Sequence, residues 1–439
     1  MTTNRFQLLA GLLLGASTAW AAATPMDAPL KEDGVTTIEC DVVDKSETMT
    51  VFKGSGEDPT KSTTTEGYHY DLHLPKGYLQ NKDYKYPCMF IASSGGNADM
   101  GGMAERLKRD EWIVAMLKES RNGSCDWLRN FLAAHDDVIK RVRVAPGAKF
   151  ATGDSGGARC SSINAMVRPG MIGVICQAAA FAQQFEGMWE TYAVYPPYVL
   201  VAGTFGSTDG NLHELQKIRR NLRFSRVDIM LFEGGHGHCP APIFESCLDW
   251  MEEELFVNPT RPEHMVQAIR PMNRGKDNRK AFEAEPLGPD AYRWYYRKAK
   301  RLLDETKEGP ARYLALGRIL AVIQNGRIGQ DKEIAEAAKG WPEELQKLKA
   351  TDAIKDFEQK ALFGYRAARA TEDAYNQQMR LGKVGDDGKT FMTPMDRQAL
   401  ERAIATYKAV INAYPDAVFI PECKLKLASL EIELSKAKK

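Results

Sequence analysis

The run Gly153-Asp154-Ser155-Gly156-Gly157 places a serine between glycines at the spacing G-x-S-x-G. A serine hydroxyl is a weak nucleophile until a base takes its proton, and its attack on a carbonyl creates a negative oxygen that needs hydrogen-bond donors. A sharp turn from strand to helix serves both needs. It lifts the hydroxyl clear of the backbone and aims the N–H groups of the helix start at the developing charge. Glycines suit the crowding of such a turn. The flanks agree: Ala148 to Thr152 reads as a strand, and Gly156 to Val167 as a helix ending before Pro169-Gly170. Ser155 is the candidate nucleophile. The alternative is a bystander serine in a glycine-rich turn.

A base and an acid must lie within reach of that hydroxyl. The strand pattern Val227 to Phe232 runs into Glu233-Gly234-Gly235-His236-Gly237-His238. A histidine on a glycine-rich loop after a late strand can reach across the sheet end, so His236 is the candidate base and His238 the reserve. The strand pattern Tyr198 to Thr204 runs into a loop containing Asp209 and Gly210. An acid just past a strand's C-terminal end is well placed for a site of this kind, which makes Asp209 the candidate acid. Glu214 and Glu233 are the alternatives, and Asp209 could instead serve only the turn before Gly210. The chain order is then serine, aspartate, histidine, the order of α/β-hydrolases. The oxyanion would be held by the N–H of Gly156 and by Gly95 or Gly96, in the loop after the strand Cys88 to Ala92.

Two rival readings share these residues. The string GDSGG resembles the serine region of chymotrypsin-like proteases, and Ala133-Ala134-His135 faintly echoes their histidine region. His135 lies only 20 positions before Ser155, which leaves no room for the intervening barrel, and Ala158 rather than proline follows the motif. His236, His238, Cys239 and Cys247 could in principle ligate a metal. They lack a second spaced ligand pair, and the expected reaction requires neither metal nor cofactor.

The elements around these residues alternate. Short β-prone runs (Tyr68 to Leu74, Cys88 to Ala92, Trp112 to Leu117, Ala148 to Thr152, Ile172 to Cys176, Tyr198 to Thr204, Val227 to Phe232) are interleaved with helical patterns at Asp126 to Lys140, Gly156 to Val167, Leu212 to Leu222 and Ile243 to Leu255. Such alternation implies βαβ units, a mostly parallel sheet covered by helices. After about residue 258 the strand signals vanish. Helical spacing then runs through Tyr292 to Glu305, Ala311 to Gln324, Asp331 to Ala350, Asp352 to Arg380, Asp396 to Ala413 and Glu422 to Lys436. Ala403, Tyr407, Ile411 and Tyr414-Pro415 resemble the helix end of a tetratricopeptide-like repeat, with a plain helical bundle the alternative. Trp294, Tyr295 and Tyr296 could bind a polymer if exposed, but at helical spacing they read as core.

At the N-terminus, Arg5, the apolar run Leu8 to Leu14 and Ala19-Trp20-Ala21 or Ala21-Ala22-Ala23 form a signal-peptide pattern too short to span a bilayer. The expected organisation is a signal peptide at 1–23, an N-terminal extension at 24–64, a catalytic domain at 65–257 and a helical domain at 258–439. A secreted or periplasmic location follows. Eight cysteines in an exported chain could pair in 105 ways, with Cys239 and Cys247 near enough in sequence to be candidates. A formal net charge of +1 gives no field for nucleic acid.

Tyr68–Leu74-Pro75-Lys76-Gly77-Tyr78, Ser93-Ser94-Gly95-Gly96, Ala151-Thr152-Gly153-Asp154-Ser155-Gly156-Gly157-Ala158-Arg159 and Phe232-Glu233-Gly234-Gly235-His236 together resemble secreted α/β-hydrolases. The resemblance is to the group of polyhydroxybutyrate depolymerases, feruloyl and acetyl esterases and dienelactone hydrolases. It covers about residues 65–257. It implies a triad of Ser155, Asp209 and His236, an acyl-enzyme, and an ester-containing small molecule or polymer, such as an acylated glycan, as substrate. Many relatives open the oxyanion loop with a histidine, where Ser93-Ser94 stand here. A serine peptidase of the same fold is the enzyme alternative. The other is an inactive hydrolase-fold scaffold whose helical domain binds a protein or polymer.

Overall fold

The computed structural model describes residues 23–40, 67–122, 126–168, 170–179, 198–205, 226–233, 236–258, 287–380, 392–415, 417 and 419–436. The expected signal peptide (bar its last residue), the helix pattern at 212–222, Cys125, Asp209 and Glu214 lie outside them. So does most of the expected boundary at 258–262.

Eight strands form one sheet: β1 (Val35–Cys40), β2 (Tyr68–His73), β3 (Tyr86–Ser93), β4 (Ile113–Leu117), β5 (Val144–Asp154), β6 (Met171–Gln177), β7 (Tyr198–Phe205) and β8 (Arg226–Glu233). Their spatial order is 1-2-4-3-5-6-7-8. β1 and β2 run antiparallel at one edge, and every pairing from β4 through β8 is parallel. This is the α/β-hydrolase arrangement, and it places β5 next to β3 and β6 near the middle of the sheet. β3, β4 and β6 read as unbroken apolar runs because they are covered on both faces. The helices that follow are α1 (Ala104–Arg109), α2 (Asp126–Arg141), α3 (Gly156–Val167) and α4 (Ala241–Glu252), with a π turn at Glu253–Val257.

Two features differ from the expectation. β1 lies within the segment expected as an N-terminal extension, yet it pairs along its whole length with β2. Its alternation is polar and its outer face exposed, as suits an edge strand, so no apolar run announces it. The single helix expected over 331–350 is two, α7 (Lys332–Ala337) and α8 (Trp341–Ala350). Gly340, at φ +85°, turns the chain between them, and Pro342 starts the second.

The helical region begins with α5 (Pro289–Glu305) and α6 (Gly309–Gly326) and ends with α9 (Asp352–Arg380), α10 (Pro394–Ala413) and α11 (Ile420–Lys436). The core does not divide where the strand signals end. One continuous apolar cluster runs from Ile38 in β1 to Trp341, so α5 to α8 share the sheet's core, while α9 to α11 form a second cluster. Trp294 packs edge-on to Trp112 at 5.3 Å and donates its Nε1–H to the Asp110 carbonyl at 2.8 Å. Tyr295 and Tyr296 are buried with it. Among the described residues no helix is long and apolar enough to cross a membrane.

Candidate active site

Ser155 sits on the turn between β5 and α3, at φ 50° and ψ −119°. This backbone region costs a non-glycine residue about 1–3 kcal/mol and persists only where its surroundings enforce it. Here the Ser155 N–H donates to the Gln177 carbonyl of β6 at 2.9 Å, and the flanking chain is pressed against β3. A Cβ on either Gly153 or Gly157 would overlap the Ala92 carbonyl oxygen. The glycines of the motif are therefore a packing requirement: β5 and the start of α3 approach β3 too closely for any side chain.

His236 reaches this turn from the loop after β8. Its Nε2 lies 2.7 Å from Ser155 Oγ, and the ring is exposed. A neutral imidazole with Nε2 unprotonated accepts the hydroxyl proton in this geometry and leaves Nδ1–H free to donate to an acid. The loop is fixed behind the histidine, where the Cys239 N–H donates to Gln177 Oε1 at 2.8 Å. His238, the reserve base, faces elsewhere: its Nε2 lies 3.6 Å from Asp154 Oδ1. Thus His236 and Ser155 are brought together and His238 is paired with Asp154, the residue before Ser155.

The two candidate donors in the loop after β3 are not equivalent. Gly96 N–H closes a turn onto the Ser93 carbonyl at 3.1 Å, so it is already committed. Gly95 N–H has only a long contact to Ser93 Oγ, at 3.4 Å. Gly156 opens α3, whose N-terminus carries partial positive charge at the same place. Asn122, a residue that sequence reading missed, completes this side. Its N–H donates to the Ser94 carbonyl at 2.9 Å, and its carboxamide occupies the space that a Gly156 side chain would need.

Other chemistry-bearing groups are spent on the core. Burial pushes the Cys176 and Cys239 thiols up to about 12, far from a reactive thiolate, and Cys239 is a free thiol not bonded to Cys247. His135 packs against Phe90 and Phe131 in α2, and its Nδ1 lies 2.9 Å from Asp136 Oδ1. Burial lowers its pKa to about 4, so the protease-like string around it is a helix interior.

Gln177 was also missed. It is fully buried at the C-terminal end of β6, and the only sequence signal is a carboxamide closing the apolar run Ile172 to Cys176. Asn122 has no signal beyond lying in a polar stretch.

No family model matches the chain, and no curated protein matches it. Solved structures do. The apo form of Thermogutta terrifontis esterase 2 is 12% identical, covering 44% of this chain and 91% of its own at a TM-score of 0.35. Est1E from Butyrivibrio proteoclasticus is 14% identical, covering 43% and 94% at 0.34. A post-proline cleaving enzyme from Rickettsia typhi is 15% identical, covering 44% and 36% at 0.33.

Proposed function

We propose that this chain is an exported serine hydrolase that cleaves carboxylic esters through an acyl-enzyme. The observation that carries this is the 2.7 Å approach of His236 Nε2 to the hydroxyl of Ser155, on a strained turn at the head of a helix. A nucleophile, a base in contact with it, and a cluster of N–H donors meet at one sheet end. That combination is the apparatus of acyl transfer.

In the first half-reaction Ser155 Oγ attacks the ester carbonyl and its proton passes to His236 Nε2. The carbonyl oxygen becomes an oxyanion, held by the N–H groups of Gly156 and Gly95. Collapse breaks the bond to the alkoxy oxygen, which leaves as the alcohol with the proton from His236. Water then repeats the sequence on the acyl-enzyme and releases the acid. Asp209 is the proposed partner of His236 Nδ1, stabilising the imidazolium. The signal-peptide pattern at 1–23 supports export, and the proposed substrate is an ester-containing small molecule or polymer, such as an acylated glycan. The helical region is proposed to hold a protein or polymer partner.

A fluorophosphonate probe tests the reading. It is expected to label the folded wild type and not Ser155→Ala. Labelling that survives the substitution moves the nucleophile elsewhere, and a folded wild type that takes no label leaves the scaffold reading. p-Nitrophenyl esters of rising acyl length then sort the substrate, and hydrolysis of a peptide anilide with no ester hydrolysis would reassign the enzyme as a peptidase.

A further inference from the structure

Ser155 and His236 come from segments 81 residues apart, and one buried residue is hydrogen-bonded to both segments. Gln177 is fully buried and bonds in four directions. Its backbone carbonyl accepts the Ser155 N–H at 2.9 Å. Its Oε1 accepts the Cys239 N–H at 2.8 Å, three residues past His236. Its Nε2 donates to Thr152 Oγ1 at 2.9 Å and lies 3.4 Å from Met103 Sδ. Thr152 is fixed in turn: its hydroxyl donates to the Ile175 carbonyl at 2.8 Å and its carbonyl accepts from Ser161 Oγ at 2.6 Å. Gln177 therefore ties the strand under Ser155, Met103 and the histidine loop to one another, and Thr152 extends the network to α3 through Ser161.

We propose that Gln177 is the positioning residue that holds the His236 loop in register with Ser155. The inference rests on the serine-hydrolase reading above. The carboxamide suits this role because it presents an acceptor and a donor in one rigid plane, and Cys239, whose N–H it receives, is buried. The histidine loop is also in contact through His238, whose Nε2 lies 3.6 Å from Asp154 Oδ1, a longer contact than the Cys239–Gln177 bond, and His236 itself is exposed. A displacement of about 1 Å between nucleophile and base is enough to slow chemistry about 100-fold.

The test compares Gln177→Met, which keeps length, shape and the backbone bond to Ser155 but no side-chain hydrogen bonds, with Gln177→Glu, which keeps the acceptor for Cys239, and Thr152→Val, which removes the Nε2 acceptor together with the hydroxyl's bond to the Ile175 carbonyl. Fluorophosphonate labelling rates are measured well below each variant's melting midpoint, with kcat and KM on a p-nitrophenyl ester and the hydrogen-exchange rate of the Cys239 amide. Gln177→Met is expected to label at least tenfold more slowly, to lose kcat with KM within about twofold, and to free the Cys239 amide to exchange. Gln177→Glu should recover part of both losses, and Thr152→Val should lie between wild type and Gln177→Met. A merely structural role would lower the melting midpoint and leave labelling rate and kcat unchanged in the folded protein, and that result overturns the inference. Should Gln177→Met not fold, a wild-type labelling rate in Thr152→Val and Gln177→Glu overturns it equally. A wild type that takes no label overturns the hydrolase reading and this inference together, whereas a labelled wild type matched by all variants removes only the inference.

Discussion

The glycines around Ser155 are glycines for two different reasons, and substitution separates them. At Gly153 and Gly157 the obstacle is the Ala92 backbone, which cannot turn aside; at Gly156 it is the Asn122 carboxamide, which can. Gly157→Ala is expected to destabilise the fold by about 2 kcal/mol or more, within the range for overpacking, and no side-chain change should restore it. Gly156→Ala should cost less stability and slow labelling of Ser155, and Gly156→Ala combined with Asn122→Ala should regain much of both. Melting midpoints and labelling rates of the three proteins check this; a double variant no better than Gly156→Ala would show that the obstruction is not Asn122. Ser155 and His236 were legible in the sequence because a nucleophile turn and a glycine-flanked histidine after a strand have local signatures. Gln177 and Asn122 were not, since each acts through partners far away in the chain, and a lone polar residue at the end of an apolar run or in a loop carries no pattern.

Among the elements, the strands under the site were readable from their apolar runs and the edge of the sheet was not. β5 and β6 are buried along most of their length, and the run of β6 is continuous; β1 shows polar residues outward and pairs with a partner 28 or more residues away. The packing of α2 against the sheet supplies a test at this scale. His135 is buried in that helix as a neutral ring, with its ordinary value of 6.5 lowered to about 4 by burial. Between those values the unfolded chain binds a proton that the folded one refuses. Stability from this residue is therefore full above pH 6.5 and is lost as pH falls towards 4, by at most about 3 kcal/mol. Asp136 adds to the acid sensitivity at lower pH. Burial opposes its ionisation, but hydrogen bonds from His135 and Arg168 hold it below the ordinary carboxylate range, so its contribution disappears as pH falls below 3.8. His135→Phe, which keeps the ring between Phe90 and Phe131 and leaves Asp136 to Arg168, is expected to flatten the pH 4–6.5 part of a urea-midpoint profile. An unchanged slope would mean that another group titrates there.

At the scale of the whole molecule, the change from strand to helix signals near residue 258 was legible, but it marks a change of architecture within a shared core. Periodicity reports which face of a helix is buried, and says nothing of whether it is buried on a sheet or on another helix. α5 is the joint. Beside the Trp112–Trp294 contact, Arg106 and Lys298 meet Asp110 and Glu252 in a buried ion network, with Arg106 bonded at 2.7 Å to Asp249, at 3.0 Å to Glu252 and at 2.6 Å to Asp110, and Lys298 at 2.7 Å to Asp110. Of these five charges Arg106, Asp110 and Glu252 are buried, and a buried charge that loses its partner is costly. The sheet and α5 should therefore unfold together. Trp294→Ala is expected to destabilise by about 3–5 kcal/mol, as for other large buried aromatics. That loss should appear in the temperature at which Ser155 stops accepting a fluorophosphonate, although Trp294 belongs to the helical region. A labelling midpoint that stays at the wild-type value while helical content melts early would show instead that the sheet is stable without the helices packed on it.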